Sequence, residues 1–223
     1  MPFTIEQFLD VFRRYNEAVW PAQVALHALA LAAVALALRP RGWSGRVASA
    51  VLAALWLWTG AAYHLAFFRD VNPAATAFGA LAVAQGALFA WLGVVRGRLD
   101  VRARADLTGL GGAVLIAYAL LVYPALGYAL GHRYPAVPTF GLPCPTTIFT
   151  FGLLAWGVPP VPRVLLVVPV LWAVVGTVGA VELAMPEDLG LPVAAIIGAL
   201  AVVARGRPPR RPSRTAPARA GAA

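Results

Sequence analysis

Long apolar stretches separated by short polar segments make up most of the 223-residue sequence. About 20 apolar residues are enough for a helix to cross the hydrocarbon core of a bilayer. Six stretches approach or exceed this length, and one more is shorter. The predicted spans cover residues 18–38, 45–67, 73–95, 107–130, 145–157, 163–184 and 189–204. The pattern therefore predicts an all-α protein, a polytopic membrane helix bundle with seven spans.

The fifth stretch, residues 145–157, is too short for an ordinary span. Its 13 or so residues extend about 20 Å as a helix, whereas the hydrocarbon core is about 30 Å thick. The stretch is either a short span completed by the extended, proline-rich residues 158–162 or a re-entrant half-helix.

The arginine distribution distinguishes these two topologies, because arginine is enriched in cytoplasmic loops. If residues 145–157 cross, fourteen arginines lie on one side of the membrane and four on the other. If they re-enter, the division is seven against eleven, which reverses the bias. We therefore predict a multi-pass protein of the bacterial inner membrane with its N-terminus outside and its C-terminus in the cytoplasm.

The two ends of the chain differ from the bundle at residues 18–204. Residues 1–17 alternate apolar and charged positions at helical spacing, and Thr4 with Gln7 forms a capping-box pattern. This predicts an amphipathic helix lying along the membrane interface. Residues 205–223 form a basic tail rich in proline and arginine, which we expect to be disordered.

Composition and missing motifs exclude several classes of protein. Hydrophobic residues are 61% of the chain and charged residues only 12%, about half the share in soluble domains. The net charge of +9 comes largely from the tail and the helix ends, so it indicates membrane orientation and contact with the lipid bilayer, with no nucleic acid partner. No phosphate-binding loop, dinucleotide fingerprint, H-E-x-x-H or G-x-S-x-G motif occurs, so nucleotide hydrolysis, zincin-type proteolysis and serine-hydrolase chemistry have no support.

Cys144 is the most chemically distinctive residue. It is the only cysteine, and it lies between Pro143 and Pro145 in a loop rich in proline. If Pro145 is the first residue of a helix, Cys144 caps the positive end of the helix dipole, where a thiolate is favoured. The thiol would then suit a soft metal ion or act as a nucleophile. The alternative is a buried, unreactive thiol in a tight turn.

The predicted topology places most chemically capable side chains in the extracytoplasmic half of the bundle. Ionisable groups within spans often mark a pathway or a binding site. The candidate ligand-binding residues are Glu17, Gln23, His27, Tyr63, His64, Asp70, Asn72, His132, Cys144, Thr146, Thr147 and Glu182.

Two chemical roles are open for members of this group. His64, His132 and Cys144 would form a site for a metal ion such as zinc or copper if they converge. Otherwise the histidines form hydrogen bonds between helices. Glu17 and Glu182 would carry a proton or cation, or are simply solvated at the ends of spans.

The sequence resembles an uncharacterised family of bacterial multi-pass membrane proteins, known only as a domain of unknown function. The similar segments are residues 2–8, 15–21, 63–64, 72–73 and 138–150. The resemblance covers residues 1–204 and implies an inner-membrane protein of unassigned activity. Residues 59–64 are also similar to the serine-x-x-aromatic-histidine pattern of alkaline-ceramidase-like membrane hydrolases, but they lack the serine.

Three functions follow from these features. The first is a protein that binds or transports a small solute or ion, with an extracytoplasmic site around the Pro-Cys-Pro loop, because interrupted helices bind ligands in many transporters. The second is an intramembrane hydrolase that depends on a metal or on the thiol. The third is a non-catalytic membrane assembly subunit.

Overall fold

The computed structural model describes residues 2–205, and within this range the regular secondary structure is helical, without β-strands. The predicted tail lies outside the described residues, apart from Arg205 at the end of the last helix. The α-helices are α1 (Ile5–Val19), α2 (Ala22–Leu38), α3 (Ser44–Trp58), α4 (Ala75–Leu88), α5 (Leu107–Ala117), α6 (Tyr123–Ala129), α7 (Pro143–Ala155), α8 (Val167–Glu182) and α9 (Gly190–Arg205). The prediction of an all-α fold is confirmed.

Several helical segments join end to end into continuous helices, here called rods, that are long and apolar enough to cross a membrane. Three of the joins are π-helical segments, Thr59–Leu65, Phe89–Val95 and Tyr118–Val122. The long apolar rods are Ser44–Asp70, Ala75–Val95, Leu107–Ala129, Arg163–Glu182 and Pro186–Ala204. Their ends lie close to those predicted from the apolar stretches.

Helix α1 lies across one end of the bundle, bent by 85° from α2. The predicted capping box forms, because Thr4 Oγ1 accepts from the Gln7 backbone N–H while the Gln7 side chain accepts from the Thr4 N–H. The apolar residues Val11, Phe12 and Tyr15 of α1 are buried in a cluster with residues of other helices. The apolar face of α1 thus packs against protein.

The proline-rich loop before α7 is attached to α1 through Asn16, which is fully buried. Asn16 Nδ2 donates to the carbonyls of Pro135 and Val137 at 2.6 and 2.8 Å. Its Oδ1 accepts from Thr139 Oγ1 at 2.8 Å and from Gln23 Nε2 at 3.2 Å. One amide therefore supplies partners for loop carbonyls that would otherwise be buried without hydrogen bonds.

Helix α7 is the short helix of residues 143–155, and it is enclosed by the other helices. All but one of its residues are buried, and it packs chiefly against α5, α8 and α9. At its C-terminal end, Arg102 N–H donates to Trp156 O and Val158 N–H donates to Asp100 O. Helix α7 therefore runs from the end of the bundle that holds α1 to the end that holds residues 96–106.

Glycines allow α7 to approach α5 closely. A Cβ built on Gly112 would lie 2.8 Å from Gly152 O and 2.8 Å from Trp156 Nε1. A Cβ on Gly152 would in turn lie 3.0 Å from Gly112 O. Trp156 Nε1 donates to Gly109 O at 2.8 Å across the same contact. Small residues at such a crossing let two helix backbones pack against each other.

We predict that Gly112→Ala destabilises the protein by about 1–3 kcal/mol, because the added methyl group overlaps backbone that cannot yield without separating α5 from α7. The measurement is the thermal unfolding midpoint of the purified protein in detergent.

The matched control is Gly111→Ala, one position away on α5. Its Cβ meets only Ile197 Cγ2, at 2.9 Å, and a side-chain tip can move. Both variants gain the same helix propensity, so equal midpoints for the two would contradict the predicted contact.

Candidate functional site

A cavity of about 110 Å³ lies at the α1 end of the bundle. Aromatic side chains contribute much of its wall. They come from α1 and the residues just before it, from residues 63–68, and from α4, α6 and α8. These are Phe3, Phe8, Phe12, Tyr63, Phe68, Phe78, Tyr123 and Trp172. Proline and aliphatic residues complete the apolar lining, and the polar residues at the wall are Asn72, Cys144 and Asp188. We call this space the aromatic cavity.

The polar part of the aromatic cavity is built around Asp188, which is 6% exposed. Tyr123, itself buried, donates its hydroxyl hydrogen to Asp188 Oδ1 at 2.5 Å. The Cys144 thiol lies next to the same carboxyl group. A carboxyl, a phenol and a thiol therefore meet at one place in an otherwise apolar wall.

The π-helical segment Tyr118–Val122 positions the tyrosines for these contacts. In a regular α-helix, side chains five residues apart point about 140° away from each other. The i to i+5 hydrogen bonding of a π turn brings the fifth residue back towards the same face. Tyr118 OH accordingly donates to Glu187 O at 2.7 Å while Tyr123 OH reaches Asp188.

Glu187 is fully buried beside Asp188 and is paired with His132. His132 Nδ1 lies 2.7 Å from Glu187 Oε1. Glu187 Oε2 has no hydrogen-bond partner among the described residues. The short helix Pro186–Leu189 thus places two adjacent carboxyl groups inside the protein, and a single imidazole pairs with one of them.

A smaller cavity of about 40 Å³ adjoins the aromatic cavity, and Trp172, Phe78, Val175 and Pro143 line both. His64 lines the smaller cavity, is 1% exposed, and packs its ring 5.0 Å from the Trp172 ring. Neither His64 Nδ1 nor Trp172 Nε1 has a hydrogen-bond partner within the described part of the chain.

The structure brings together part of the predicted group of site residues. Tyr63, Asn72 and Cys144 line the aromatic cavity, and His64 lines the smaller one. His132 reaches this region indirectly, through Glu187.

The other predicted residues lie elsewhere. Gln23 belongs to the Asn16 network, and His27 Nε2 lies 3.2 Å from Leu120 O in the π segment. Three are surface residues: Glu17 pairs with Arg13, Asp70 pairs with Arg14, and Glu182 is exposed at the end of α8. Thr146 and Thr147 are fully buried in α7, and neither lines the aromatic cavity.

The predicted metal site at His64, His132 and Cys144 is not assembled. In residues 2–205, no three histidine, cysteine or acidic side chains lie together as a metal-binding group. His64 is surrounded by aromatic rings, His132 pairs with Glu187, and Cys144 contacts Asp188. The three residues belong to three separate contacts.

The prediction that Cys144 caps a helix is wrong by two positions. Helix α7 begins at Pro143 and its cap residue is Leu142, so Cys144 lies within the first turn. Pro143 is the proline that occupies the start of the helix, because its fixed φ suits that position and its missing N–H costs nothing there.

Sequence reasoning missed Asp188, Tyr123 and Trp172, which complete the aromatic cavity, and the buried state of Glu187. The two acidic residues directly precede an apolar stretch and follow Pro186, so they read as a solvated helix start. One feature of the sequence could have identified these carboxyl groups: both adjoin a predicted span, and a charged group buried within a span usually has a function.

We predict that His132→Ala destabilises the protein by about 3 kcal/mol, because it leaves the buried Glu187 carboxylate without its partner. Chemical denaturation in detergent measures the change. In the double variant His132→Ala with Glu187→Gln, the loss should be smaller than the sum of the two single losses, which is the expected coupling for a contacting pair. Additive losses would show that the pair contributes no interaction energy.

Comparison with known proteins agrees with the resemblance seen in the sequence. No curated protein and no solved structure matches this chain. A family model described as a family of unknown function, DUF6064, matches residues 5–212, which is nearly the whole chain. The chain therefore belongs to this family of unknown function, DUF6064.

Proposed function

We propose that this chain is a multi-pass protein of the bacterial inner membrane that binds, and carries across the membrane, a small solute held in the aromatic cavity. The observation that carries the proposal is the cavity itself: an apolar space of about 110 Å³ with a few polar groups at its wall. Ligand sites in proteins commonly combine an apolar lining with a small number of placed polar groups.

The membrane setting is supported by the outer surface of the bundle. Large apolar side chains are exposed on several helices, among them Leu121, Val174, Ile196 and Leu200, each more than 60% exposed. Isolated apolar residues are normal on a soluble protein, but such extensive apolar faces favour contact with lipid.

Seven crossings are favoured by the course of α7. Its preceding loop bonds to α1 through Asn16, and its C-terminal end bonds to residues 100–102. If α7 crosses from one end of the bundle to the other, α8 begins on the opposite side from the one on which it would begin after a re-entrant α7. Together with the arginine bias, this favours an extracytoplasmic α1 and a cytoplasmic C-terminus.

Binding is better supported than thiol catalysis. A cysteine nucleophile needs a thiolate, which neighbouring cations favour. The charged groups that act on Cys144 are Asp188 and Glu187, and both are acidic. The thiol lies in the wall of the aromatic cavity beside a carboxyl group, which favours a role in the shape and polarity of the cavity.

Movement of the solute is supported by the adjoining cavities. The smaller cavity continues from the aromatic cavity past Trp172 towards Trp56 and Val168. Irregular helix segments next to such spaces are typical of transporters, because non-helical backbone is tolerated there. The π segment Thr59–Leu65 supplies Tyr63 and His64 to these cavities, and Tyr123, which directly follows the π segment Tyr118–Val122, lines the larger one.

The crossing of α7 is tested by single cysteines in a Cys144→Ser background. Arg133→Cys and Arg163→Cys flank α7 and replace exposed residues. We predict that a membrane-impermeant maleimide labels Arg133→Cys in intact cells and labels Arg163→Cys only after lysis. Glu17→Cys and Gly42→Cys serve as references for the outer and inner sides. Labelling of both flanking positions in intact cells would contradict the crossing.

Solute binding is tested by filling the cavity. Leu183 is 7% exposed and lines the aromatic cavity, so Leu183→Trp should occupy the space. We predict that at least one member of a panel of small apolar and amphipathic solutes raises the unfolding midpoint of the wild type and not of Leu183→Trp. A solute at 100 times its Kd stabilises by about 2.7 kcal/mol.

The matched control is Val181→Trp, which adds the same indole at a position 71% exposed on the outside of α8. It should respond to solutes as the wild type does. The absence of stabilisation across the panel, or an equal response by Leu183→Trp, would overturn binding in this cavity.

A further inference from the structure

We propose that the solute is a small organic cation, an ammonium group carrying short alkyl substituents, which binds between Asp188 and the aromatic rings of the cavity. This inference rests on the proposed binding function and names the class of its ligand. It depends on two independent features of the site, its charge and its rings.

The charge at the cavity is unbalanced towards acid. Glu187 and Asp188 are both buried, and His132 is the basic side chain that bonds to the pair, through Glu187. Asp188 accepts a hydrogen bond from the uncharged phenol of Tyr123 and lies next to the Cys144 thiol. A buried acidic group without a cation tends to stay protonated, because its charged form is costly there, and a positively charged ligand favours the carboxylate by supplying the missing partner.

The aromatic rings suit a cation that itself has no hydrogen-bond donors. The face of an aromatic ring attracts a cation within about 6 Å, and a cage of such rings is a known solution for quaternary ammonium groups. Tyr63 and Phe68 stack at 5.4 Å in the wall, and Phe78 meets Trp172 edge to face at 5.4 Å. With Phe12, these rings surround a space that Asp188 also borders.

The size of the cavity limits the ligand. A buried cavity of about 150 Å³ in another protein holds benzene, so a space of about 110 Å³ accepts a group of comparable or smaller bulk. A trimethylammonium head with a short chain fits this limit, whereas a bulky polycyclic cation does not.

A hydrated inorganic ion fits the lining less well. Calcium takes six to eight oxygen ligands, and magnesium holds its ligands in an octahedron and keeps several waters. The polar groups of the residues that line the aromatic cavity are one carboxyl group, one thiol, one amide, two phenols and one indole N–H, and the rest of the lining is apolar. These donors cannot replace a hydration shell, but they can hold an alkylated ammonium that has little hydration to lose.

The test compares two probes that differ in charge and share their shape, choline and its uncharged analogue 3,3-dimethylbutan-1-ol. Isothermal titration calorimetry is carried out on the full chain in detergent. We expect choline to bind the wild type at least tenfold more tightly than the alcohol. Asp188→Asn should weaken choline binding at least tenfold and change binding of the alcohol less than twofold. Glu17→Gln, which removes an exposed carboxylate paired with Arg13, should leave both unchanged.

A second variant keeps the test decisive if Asp188→Asn does not fold. Trp172→Leu removes a ring without changing any charge, and it should weaken choline binding severalfold more than binding of the alcohol. Trp91→Leu, at an indole 54% exposed, is its control.

The outcomes separate the two proposals. If the alcohol binds as tightly as choline, or if Asp188→Asn and Trp172→Leu leave choline binding unchanged, the cation is the wrong ligand class and the binding function stands. If neither probe binds, the cation proposal is overturned, and the response of Leu183→Trp to the wider solute panel decides the binding function separately.

Discussion

The hydrogen bonds that hold the two non-helical segments flanking α7 are the interactions on which the rest of the bundle depends. Buried backbone carbonyls and N–H groups need partners, and a loop inside a bundle has none of its own. Asn16 forms hydrogen bonds with the loop before α7, and Thr59 Oγ1 donates to Gly141 O of the same loop at 3.0 Å. Residues 100–102 form hydrogen bonds with the segment after α7. Because these bonds come from α1, from the π segment after α3 and from the loop before α5, they fix three distant parts of the chain around one short helix.

The aromatic cavity follows from this arrangement. Helix α7 begins at Pro143, so no further helical turn fills the space on the N-terminal side of its first turn. Phenylalanines of α1 cover that space from one side, and the end of α8 closes it from another. The first turn of α7 then places Cys144 at the base of the cavity, where it meets Asp188 from the short helix Pro186–Leu189. A longer α7 would leave no room for a ligand.

The parts of this architecture that local patterns encode were predictable from the sequence. Apolar length located the long helices, and the spacing of Thr4 and Gln7 located the start of α1, because both signals depend on residues that are near each other in the chain. The cap at Cys144 was misplaced because either proline could have begun the helix, and only the position of Leu142 decides which one does.

The aromatic cavity was only partly predictable, because it depends on contacts between distant residues. Tyr63, Asn72 and Cys144 attracted attention as polar or aromatic groups near the ends of spans, whereas Asp188 looked solvated. Its burial depends on Tyr123, 65 residues earlier, and on a π segment that no periodicity announces. The apolar face of α1 was correctly recognised, but an amphipathic pattern does not reveal whether lipid or protein covers it.

Trp172, Phe78, Val175 and Pro143 form a wall that the two cavities share. The Trp172 ring borders both cavities and lies 5.0 Å from the His64 ring. A solute that occupied both cavities would therefore have to displace several side chains of this wall, and not the Trp172 indole alone.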